Sequence, residues 1–250
     1  MPAKARKSVI HALEGWQRPA NIRAVYTTRG PAPHETPYDS FNLATHVADA
    51  ESSVRRNRQH LVRALELPDD PLWLNQVHGI ECARHDSTHI PPTADASFTR
   101  KPGQVCVVLT ADCLPLLVCS ADGQEIAAIH AGWRGLLDGV IASTLSEFES
   151  VGRNLRVWLG PRISASHYEV GEDLVEKFLT VDTHYQTAVR QADSRYYLDL
   201  GVVARIQLAR AGVDSIQDCQ LCTFKRSEDF YSYRRDGVTG RFACLIWRTE

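Results

Sequence analysis

The sequence predicts a fold of the α/β or α+β class, in which a mixed β-sheet core is flanked by helices. Short apolar runs typical of buried strands are interspersed along the chain with segments of helical spacing. The 250 residues are 44% hydrophobic, which is enough to build a substantial core. Two segments rich in proline and glycine, at 29–38 and 89–92, are too short to be linkers. We therefore predict a single domain that covers residues 1–250.

The first predicted helix covers residues 51–67. Pro68 follows directly and would end it, and Asp49 stands just upstream as a candidate N-cap. Apolar side chains recur on one face at helical spacing, at Val54, Leu61, Val62 and Leu65. The same kind of spacing predicts later helices at 136–148, 171–179 and 200–211.

Strands are predicted where four to seven apolar or β-branched residues follow one another between turn signals. These runs lie at 72–77, 105–110, 114–119, 125–130, 156–160 and 242–247. The turn signal Ala-Asp-Gly at 121–123 separates two of them, and Pro161 ends another. Because the runs are apolar almost throughout, we expect them to form a buried sheet.

Composition argues against a nucleic-acid or membrane partner. The 28 basic and 30 acidic residues are interspersed and give a net charge of −2, so no strong surface field is expected. No apolar run approaches the roughly 18 to 20 residues of a membrane span. The basic N-terminus lacks a continuous apolar stretch like that of a signal peptide, and the seven scattered cysteines favour a reducing compartment. We expect a soluble, cytoplasmic protein that is a monomer.

Three polar residues stand where predicted strands give way to turns. His78 follows the run at 72–77, Cys113 lies in the turn after 105–110, and His130 ends the run at 125–130. Strand ends and the loops after them are where rigid scaffolds usually present reactive groups. Two imidazoles and one thiolate suit zinc, and three protein ligands leave a fourth position for water or substrate.

Other interpretations of these three residues stay open at this point. Their long separations along the chain do not form a local zinc pattern such as paired CxxC units. They are also compatible with two hydrogen-bonded histidines beside an inert buried thiol. A third interpretation is a nucleophilic Cys113 that is activated by a neighbouring histidine.

The segment His-Ala-Gly-Trp-Arg-Gly at 130–135 leads directly into a predicted helix. Its glycines allow a ligand to approach the backbone closely. The free N–H groups of a helix start, together with Arg134, suit a phosphate or a carboxylate. An ordinary strand-to-helix turn around a packed Trp133 would have the same sequence.

Several sequence blocks occur in a fixed order over nearly the whole chain. The main ones are Asn75-Gln-Val-His-Gly79, Thr110-Ala-Asp-Cys-Leu-Pro115, His130-Ala-Gly-Trp-Arg-Gly135, Leu159-Gly-Pro161 and Tyr168-Glu-Val-Gly171. Shorter ones are Phe41-Asn-Leu43, Asn57-Arg58, Tyr231-Ser-Tyr-Arg-Arg235 and Thr239-Gly-Arg241. Together they resemble the YfiH family, also called laccase-domain proteins or peptidoglycan editing factors.

The resemblance implies a set of site residues. His78, Cys113 and His130 each fall inside a matching block, which implies that they are three zinc ligands and form the catalytic site. It also implies a fold related to cysteine-type deamidases, the CNF/YfiH-like cysteine hydrolase fold. Four arginines within the matching blocks become candidates for binding substrate or phosphate: Arg58, Arg134, Arg235 and Arg241.

The activity that the resemblance implies is that of a zinc-dependent purine nucleoside enzyme, with a nucleoside and phosphate as small-molecule partners. Members phosphorolyse adenosine, inosine, guanosine and methylthioadenosine, and deaminate adenosine. An amide hydrolase that edits peptidoglycan precursors is the alternative, and a binding module with a structural metal is a non-enzymatic one. Copper-dependent polyphenol oxidation is less favoured. A multicopper cluster needs about ten ligands, often in His-x-His pairs, and none of the ten histidines stands two residues from another.

Further polar residues are assigned secondary roles. Cys219 and Cys222 form a lone CxxC, which we interpret as structural because no second pair accompanies it. His85 and His89 stand four apart, but the prolines that follow argue against a helix that would bring them together. Asp112 and Glu169 are considered as proton shuttles or as supports for a ligand residue.

Overall fold

The computed structural model describes residues 8–31, 35–85 and 91–250. A four-stranded antiparallel sheet joins the two ends of this chain, in the strand order β1-β2-β13-β5. Its strands are β1 Ile10–Ala12, β2 Ile22–Thr27, β5 Val105–Thr110 and β13 Phe242–Arg248.

A mixed six-stranded sheet lies against the first, in the order β12-β8-β6-β7-β4-β3. Its strands are β3 Cys82–Arg84, β4 Ala96–Thr99, β6 Leu114–Ser120, β7 Ile126–Ala131, β8 Leu155–Leu159 and β12 Ser215–Asp218. The two edge pairs are parallel and the others antiparallel. A small antiparallel sheet contains β9 Glu169–Val170, β10 Val189–Ala192 and β11 Arg195–Leu198.

Helices cover the outer face of each main sheet. They are α1 Glu51–Leu65, α2 Trp133–Asp138, α3 Val140–Leu145, α4 Glu172–Val181 and α5 Leu200–Arg210. A further short helix, α6 Tyr233–Asp236, lies outside these layers and contributes to a cleft described below. α1 packs on the four-stranded sheet, whereas α2 to α5 pack on the six-stranded sheet. The described part of the chain therefore has four layers, and the predicted α/β class with a mixed sheet core between helices is confirmed.

The layering explains why the strands are apolar on both faces. In β13, Phe242, Cys244 and Ile246 point into the space between the sheets, whereas Ala243 and Leu245 point toward α1. All seven residues of β13 are buried. A strand in this position has no solvent face, so its sequence shows no alternation of polar and apolar residues.

Three local predictions are wrong. Residues 72–77 form no strand and make only the isolated bridges Leu72–Cys106 and Asn75–Thr93. The predicted helix 136–148 is divided into α2 and α3, because Gly139 adopts a left-handed conformation with φ of 97°. The N-cap of α1 is Ala50; the Asp49 carboxylate instead accepts hydrogen bonds from its neighbour's N–H and from the Asn42 side chain.

The remaining predicted elements agree with the structure to within two residues at their ends. Strands that sequence analysis missed are short or carry charged residues, as in the segment Ile-Arg-Ala-Val-Tyr-Thr of β2. Among the described residues, no helix combines the length and apolar character required to cross a membrane. The basic residues 1–7 and His89 lie outside the described residues.

Candidate active site

His78, Cys113 and His130 come together at one end of the six-stranded sheet. One nitrogen or sulfur atom from each lies within 4.8 Å of the other two. Cys113 Sγ is 3.7 Å from His78 Nε2, and the two imidazoles meet edge to face with ring centroids 4.9 Å apart. His130 is buried, Cys113 is half-buried and His78 is exposed. The group could hold a metal ion that solvent reaches from the His78 side.

Backbone conformation brings the three side chains this close. His78 lies in the left-handed region with φ of 63°, which turns its side chain out of the preceding segment. Gly132 lies directly behind the group. A Cβ atom at that position would come within 2.8 Å of His78 Cδ2 and 3.0 Å of Cys113 Sγ. This glycine of the segment 130–135 therefore makes room for the two side chains.

A buried carboxylate that sequence analysis missed organises the group. Asp95 Oδ1 accepts hydrogen bonds from His78 N at 2.9 Å and from His130 Nδ1 at 2.8 Å, while Oδ2 accepts from Val77 N and Gly79 N. Because Nδ1 of His130 is engaged, its Nε2 is the nitrogen left for a metal or for Cys113. The available signal was only an aspartate between two alanines, directly before the short strand β4.

The charges of Cys113 and His130 are coupled. Burial raises the pKa of the Cys113 thiol, but the charge on His130 and hydrogen bonds with both histidines outweigh this and lower it to about 6. Burial lowers the pKa of His130, whereas the Cys113 thiolate and Asp95 raise it to about 9. The metal-free group is therefore a thiolate beside an imidazolium at neutral pH, and the thiolate is the form that binds metals and attacks electrophiles.

Asp112 fixes the turn that carries Cys113. Its backbone is left-handed with φ of 96°. Its carboxylate accepts hydrogen bonds from Thr223 Oγ1 at 2.6 Å, Ser232 Oγ at 3.0 Å and Arg234 N at 2.7 Å. Three donors from two distant segments thus hold this side chain in place. We interpret Asp112 as a positioning residue.

An open cleft of about 610 Å³ lies over the three side chains. Its wall carries the aromatic rings of Trp133, Tyr168 and Tyr233. It also carries three arginines, Arg134, Arg234 and Arg241. Aromatic surfaces beside cationic groups suit a ligand that has both a flat ring and an anionic part.

The predicted arginines are divided between the cleft and other places. Arg134 and Arg241 line the cleft. Arg235 instead donates hydrogen bonds to three backbone carbonyls and pairs with Asp236. Arg58 lies on α1, outside the cleft, where it donates from Nε to Leu43 O.

Arg234 is a cleft residue that sequence analysis did not single out. Its guanidinium lies 5.1 Å from the centre of the Tyr168 ring and donates from Nη1 to the carbonyl oxygen of Glu169. The side chain of Glu169 points elsewhere and pairs with Arg195. The adjacent arginines at 234 and 235 give identical sequence signals, so only the structure distinguishes their roles.

A family model described as multi-copper polyphenol oxidoreductase laccase matches residues 23–249. A protein of Escherichia coli K12 named purine nucleoside phosphorylase YfiH is 42% identical over 233 residues, covering 93% of this chain and 96% of that protein. The chain belongs to the YfiH, or laccase-domain, family. A Haemophilus influenzae protein named purine nucleoside phosphorylase is also 42% identical, with the same coverage of both chains.

Solved structures give the same assignment. A Neisseria meningitidis protein of the DUF152 family superposes with a TM-score of 0.92 at 38% identity, covering 97% of this chain and all of that one. The hypothetical protein YfiH of Bacillus licheniformis superposes with a TM-score of 0.85 at 26% identity, covering 91% of this chain and 92% of that one. The resemblance on which the site prediction was based is thus confirmed for the family and the fold.

In this YfiH-family chain His46 also lines the cleft, but it is not part of the group that could hold a metal. Among the described residues, His78, Cys113 and His130 are the one set of three or more His, Cys, Asp or Glu side chains whose geometry could hold a metal. Cys222 instead accepts hydrogen bonds from Ser164 and lies near His167. Cys82 is half-buried, and burial raises the pKa of its thiol to about 12.

Proposed function

We propose that this chain is a zinc-dependent purine nucleoside phosphorylase. The observation that carries the proposal is the convergence of two imidazoles and one thiolate beneath a cleft lined by three arginines and three aromatic rings. Names of relatives that are 42% identical over nearly their full length support it. Substrates would be adenosine, inosine, guanosine and methylthioadenosine, each together with inorganic phosphate.

His78, Cys113 and His130 would hold the zinc. The donor set suits this ion, since a catalytic zinc site takes three nitrogen or sulfur ligands and keeps one position open. His130 would bind through Nε2, because its Nδ1 is hydrogen-bonded to Asp95. A bound zinc would supply Lewis acidity next to the substrate.

The arginines of the cleft would hold phosphate. Arg134 is exposed and, within the described residues, makes no hydrogen bond or ion pair, so its guanidinium is available to an anion. Arg241 is half-buried and donates from Nη1 to two backbone carbonyls, which fixes its direction. The hydrogen-bonded guanidinium of Arg241 and the exposed guanidinium of Arg134 would together orient one phosphate oxygen toward C1′ of the ribose. Attack there breaks the bond to the purine, which leaves as the free base, and yields ribose 1-phosphate, or methylthioribose 1-phosphate from methylthioadenosine.

Aromatic side chains would bind the purine and exclude water from the reacting bond. Tyr168 and Tyr233 each lie under an arginine, at 5.1 Å and 5.9 Å from ring centre to guanidinium carbon. Burial raises the pKa of the Tyr168 phenol, so the hydroxyl stays protonated and can donate a hydrogen bond. Removing water matters because hydrolysis would otherwise compete with phosphorolysis.

A product assay combined with metal analysis tests the proposal. Wild type and His78→Ala are incubated with inosine and phosphate, and hypoxanthine, ribose 1-phosphate and bound zinc are quantified. We expect the variant to lose about one equivalent of zinc and its turnover together. His184→Ala is the matched control, since that histidine is exposed and contacts Asp182 and Arg210 away from the cleft. Full activity in His78→Ala would refute the assignment.

The same assay distinguishes the competing reactions. Adenosine converted to inosine and ammonia without phosphate would establish the additional deaminase activity that we propose for this site. An amino acid released from a peptidoglycan precursor, with no nucleoside product, would favour the amide hydrolase instead. Phenol oxidation that appears with copper and survives a zinc chelator would favour the activity named by the family model.

The cellular location that we propose is the cytoplasm. All seven cysteines are free thiols. Cys106, Cys119 and Cys244 are buried within strands of the two main sheets, where a thiol packs as a small apolar group. Nucleosides and phosphate are also cytoplasmic metabolites.

A further inference from the structure

A second cavity shares no lining residue with the cleft. This cavity, which we call the α1 groove, has a volume of about 480 Å³ and runs along α1. Its lining includes Thr45, Arg55, Arg58, Arg63 and Trp73. Thr45 lines the α1 groove, whereas the next residue, His46, lines the cleft.

Arg58 in this groove has unused hydrogen-bonding capacity. Its Nε donates to Leu43 O at 2.9 Å, and its guanidinium carbon lies 3.8 Å from the centre of the Trp73 ring. Within the described residues its Nη1 and Nη2 atoms have no hydrogen-bond partner, yet neither is among the buried polar atoms that lack one. Their N–H groups are therefore accessible from the groove.

No other arginine with a comparable degree of burial behaves in this way. Within the described residues, every other buried or half-buried arginine donates from at least one Nη atom to a protein oxygen. Burial lowers the pKa of Arg58 to about 10, and no carboxylate opposes the shift. A guanidinium that is partly removed from water without a counter-ion costs free energy, and a bound anion would recover it.

The surrounding charges leave the groove with a cationic centre. Glu51 is paired with Arg55 at 2.7 Å. Arg63 makes no ion pair within the described residues. Apart from Glu51, Asp70 is the only acidic residue among the described residues that line the groove. An oxyanion could therefore receive two parallel hydrogen bonds from Arg58 and a longer-range contribution from Arg63.

We propose that the α1 groove is a second binding site for a phosphate-type oxyanion, either inorganic phosphate or the phosphate group of an ester. The site is separate from the cleft and does not depend on the nucleoside chemistry proposed there. Arg58 is its main ligand, and the Trp73 ring packs against the guanidinium. Because Thr45 and His46 are adjacent in the chain, one peptide bond connects the lining of the groove to the lining of the cleft.

The Trp73 indole N–H signal in a proton–nitrogen spectrum provides a local readout, and Trp73→Phe assigns it. Inorganic phosphate is titrated into the zinc-loaded protein at constant ionic strength, and glycerol phosphate is titrated in parallel to represent esters. We expect a saturable shift, and the anion that saturates at the lower concentration identifies the preferred source. Arg58→Lys should weaken binding about tenfold, because a lysine cannot make two parallel hydrogen bonds.

Three further variants separate this site from its surroundings. Arg63→Gln should weaken binding about threefold while leaving the fold intact, since its side chain is exposed. Arg56→Gln changes an arginine of the same helix that does not line the groove, and Arg134→Gln changes the cleft; both should leave the titration unchanged. A shift that is linear and equal to that produced by chloride would overturn the proposal. Unchanged affinity in both Arg58→Lys and Arg63→Gln would also do so.

Discussion

Asp95 and His130 are joined by a hydrogen bond of 2.8 Å between Oδ1 and Nδ1, and the same carboxylate receives the backbone N–H groups of residues 77–79. One buried aspartate thus sets both the ring orientation of His130 and the conformation of the loop that presents His78. Carboxylates in this position also increase the basicity of a metal-bound imidazole. The pKa of Asp95 is lowered, because these hydrogen bonds and the charge on His130 outweigh its burial.

Replacement of Asp95 by asparagine should weaken zinc binding by about 10- to 100-fold, as is typical for the loss of a carboxylate behind a histidine ligand. Competition with a chromophoric chelator measures the affinity, and thermal unfolding of the metal-free protein reports the effect on the fold. Asp122→Asn is the control, because Asp122 caps a turn at 120–124. Zinc affinity equal to that of wild type in Asp95→Asn would contradict the role assigned to this residue.

Two glycine variants should separate the site from the fold. Gly132→Ala should lose zinc binding, since the new Cβ would displace His78 or Cys113, while its ordinary backbone angles tolerate alanine. Gly139→Ala should bind zinc normally but lose about 1 kcal/mol of unfolding free energy, because its φ of 97° strains any L-residue although nothing lies within 4 Å of its Cβ. Metal content and urea unfolding are measured for both. Normal zinc content in Gly132→Ala would show that the close approach of residue 132 to His78 and Cys113 is not needed for metal binding.

Cys113 in the metal-free protein should react with iodoacetamide at an unusually low pH. Its pKa of about 6 means that the thiolate fraction, and with it the rate, rises as the pH increases through about 6 and is constant above it. Cys119, with a pKa of about 12, should remain unmodified over the same range. Mass spectrometry of tryptic peptides gives the rate at each cysteine. A Cys113 rate that is still rising between pH 8 and 9, like that of an ordinary thiol of pKa about 8.5, would be inconsistent with the imidazolium contact.

Asp218→Ala should destabilise the fold by about 3 kcal/mol, since it leaves a buried guanidinium without its partner. Asp218 accepts two hydrogen bonds of 2.9 Å from Arg162 and a further one from Arg205. Urea unfolding measures the loss, and Glu51→Ala is the control because its pair with Arg55 is exposed. A loss below 1 kcal/mol in Asp218→Ala would contradict a stabilising role for this pair.

The same pair should make stability depend on pH. Burial raises the pKa of Asp218, but the hydrogen bonds and charge of Arg162 outweigh this and lower it below the ordinary value. Its contribution is therefore fully present above the ordinary carboxyl pKa and is lost as the pH falls through the lowered one. Asp218→Asn should flatten this acidic part of the stability profile, and an unchanged profile would argue against the assignment.

Sequence patterns were sufficient for elements with a strong period or a long apolar run. α1 and the strands β5, β6, β7, β8 and β13 are found where they were predicted, because burial on both faces selects continuous apolar residues. The segment 72–77 is also mostly apolar, although it contains Asn75 and Gln76, and it forms no strand. There the Gln76 side chain makes two hydrogen bonds to the backbone of Leu109, in place of a strand partner. No periodicity in the sequence predicts such a contact.

The sequence by itself determined the α/β class, the family and the three residues that converge in the site, because apolar runs and motif blocks are local properties of the chain. Only the tertiary structure decided that Asp95 supports His130, that Arg234 and not Arg235 faces the cleft, and that Arg58 belongs to a separate groove. Those roles depend on which distant backbone and side-chain atoms lie within hydrogen-bonding distance. Residues of identical type are assigned different functions by that proximity alone.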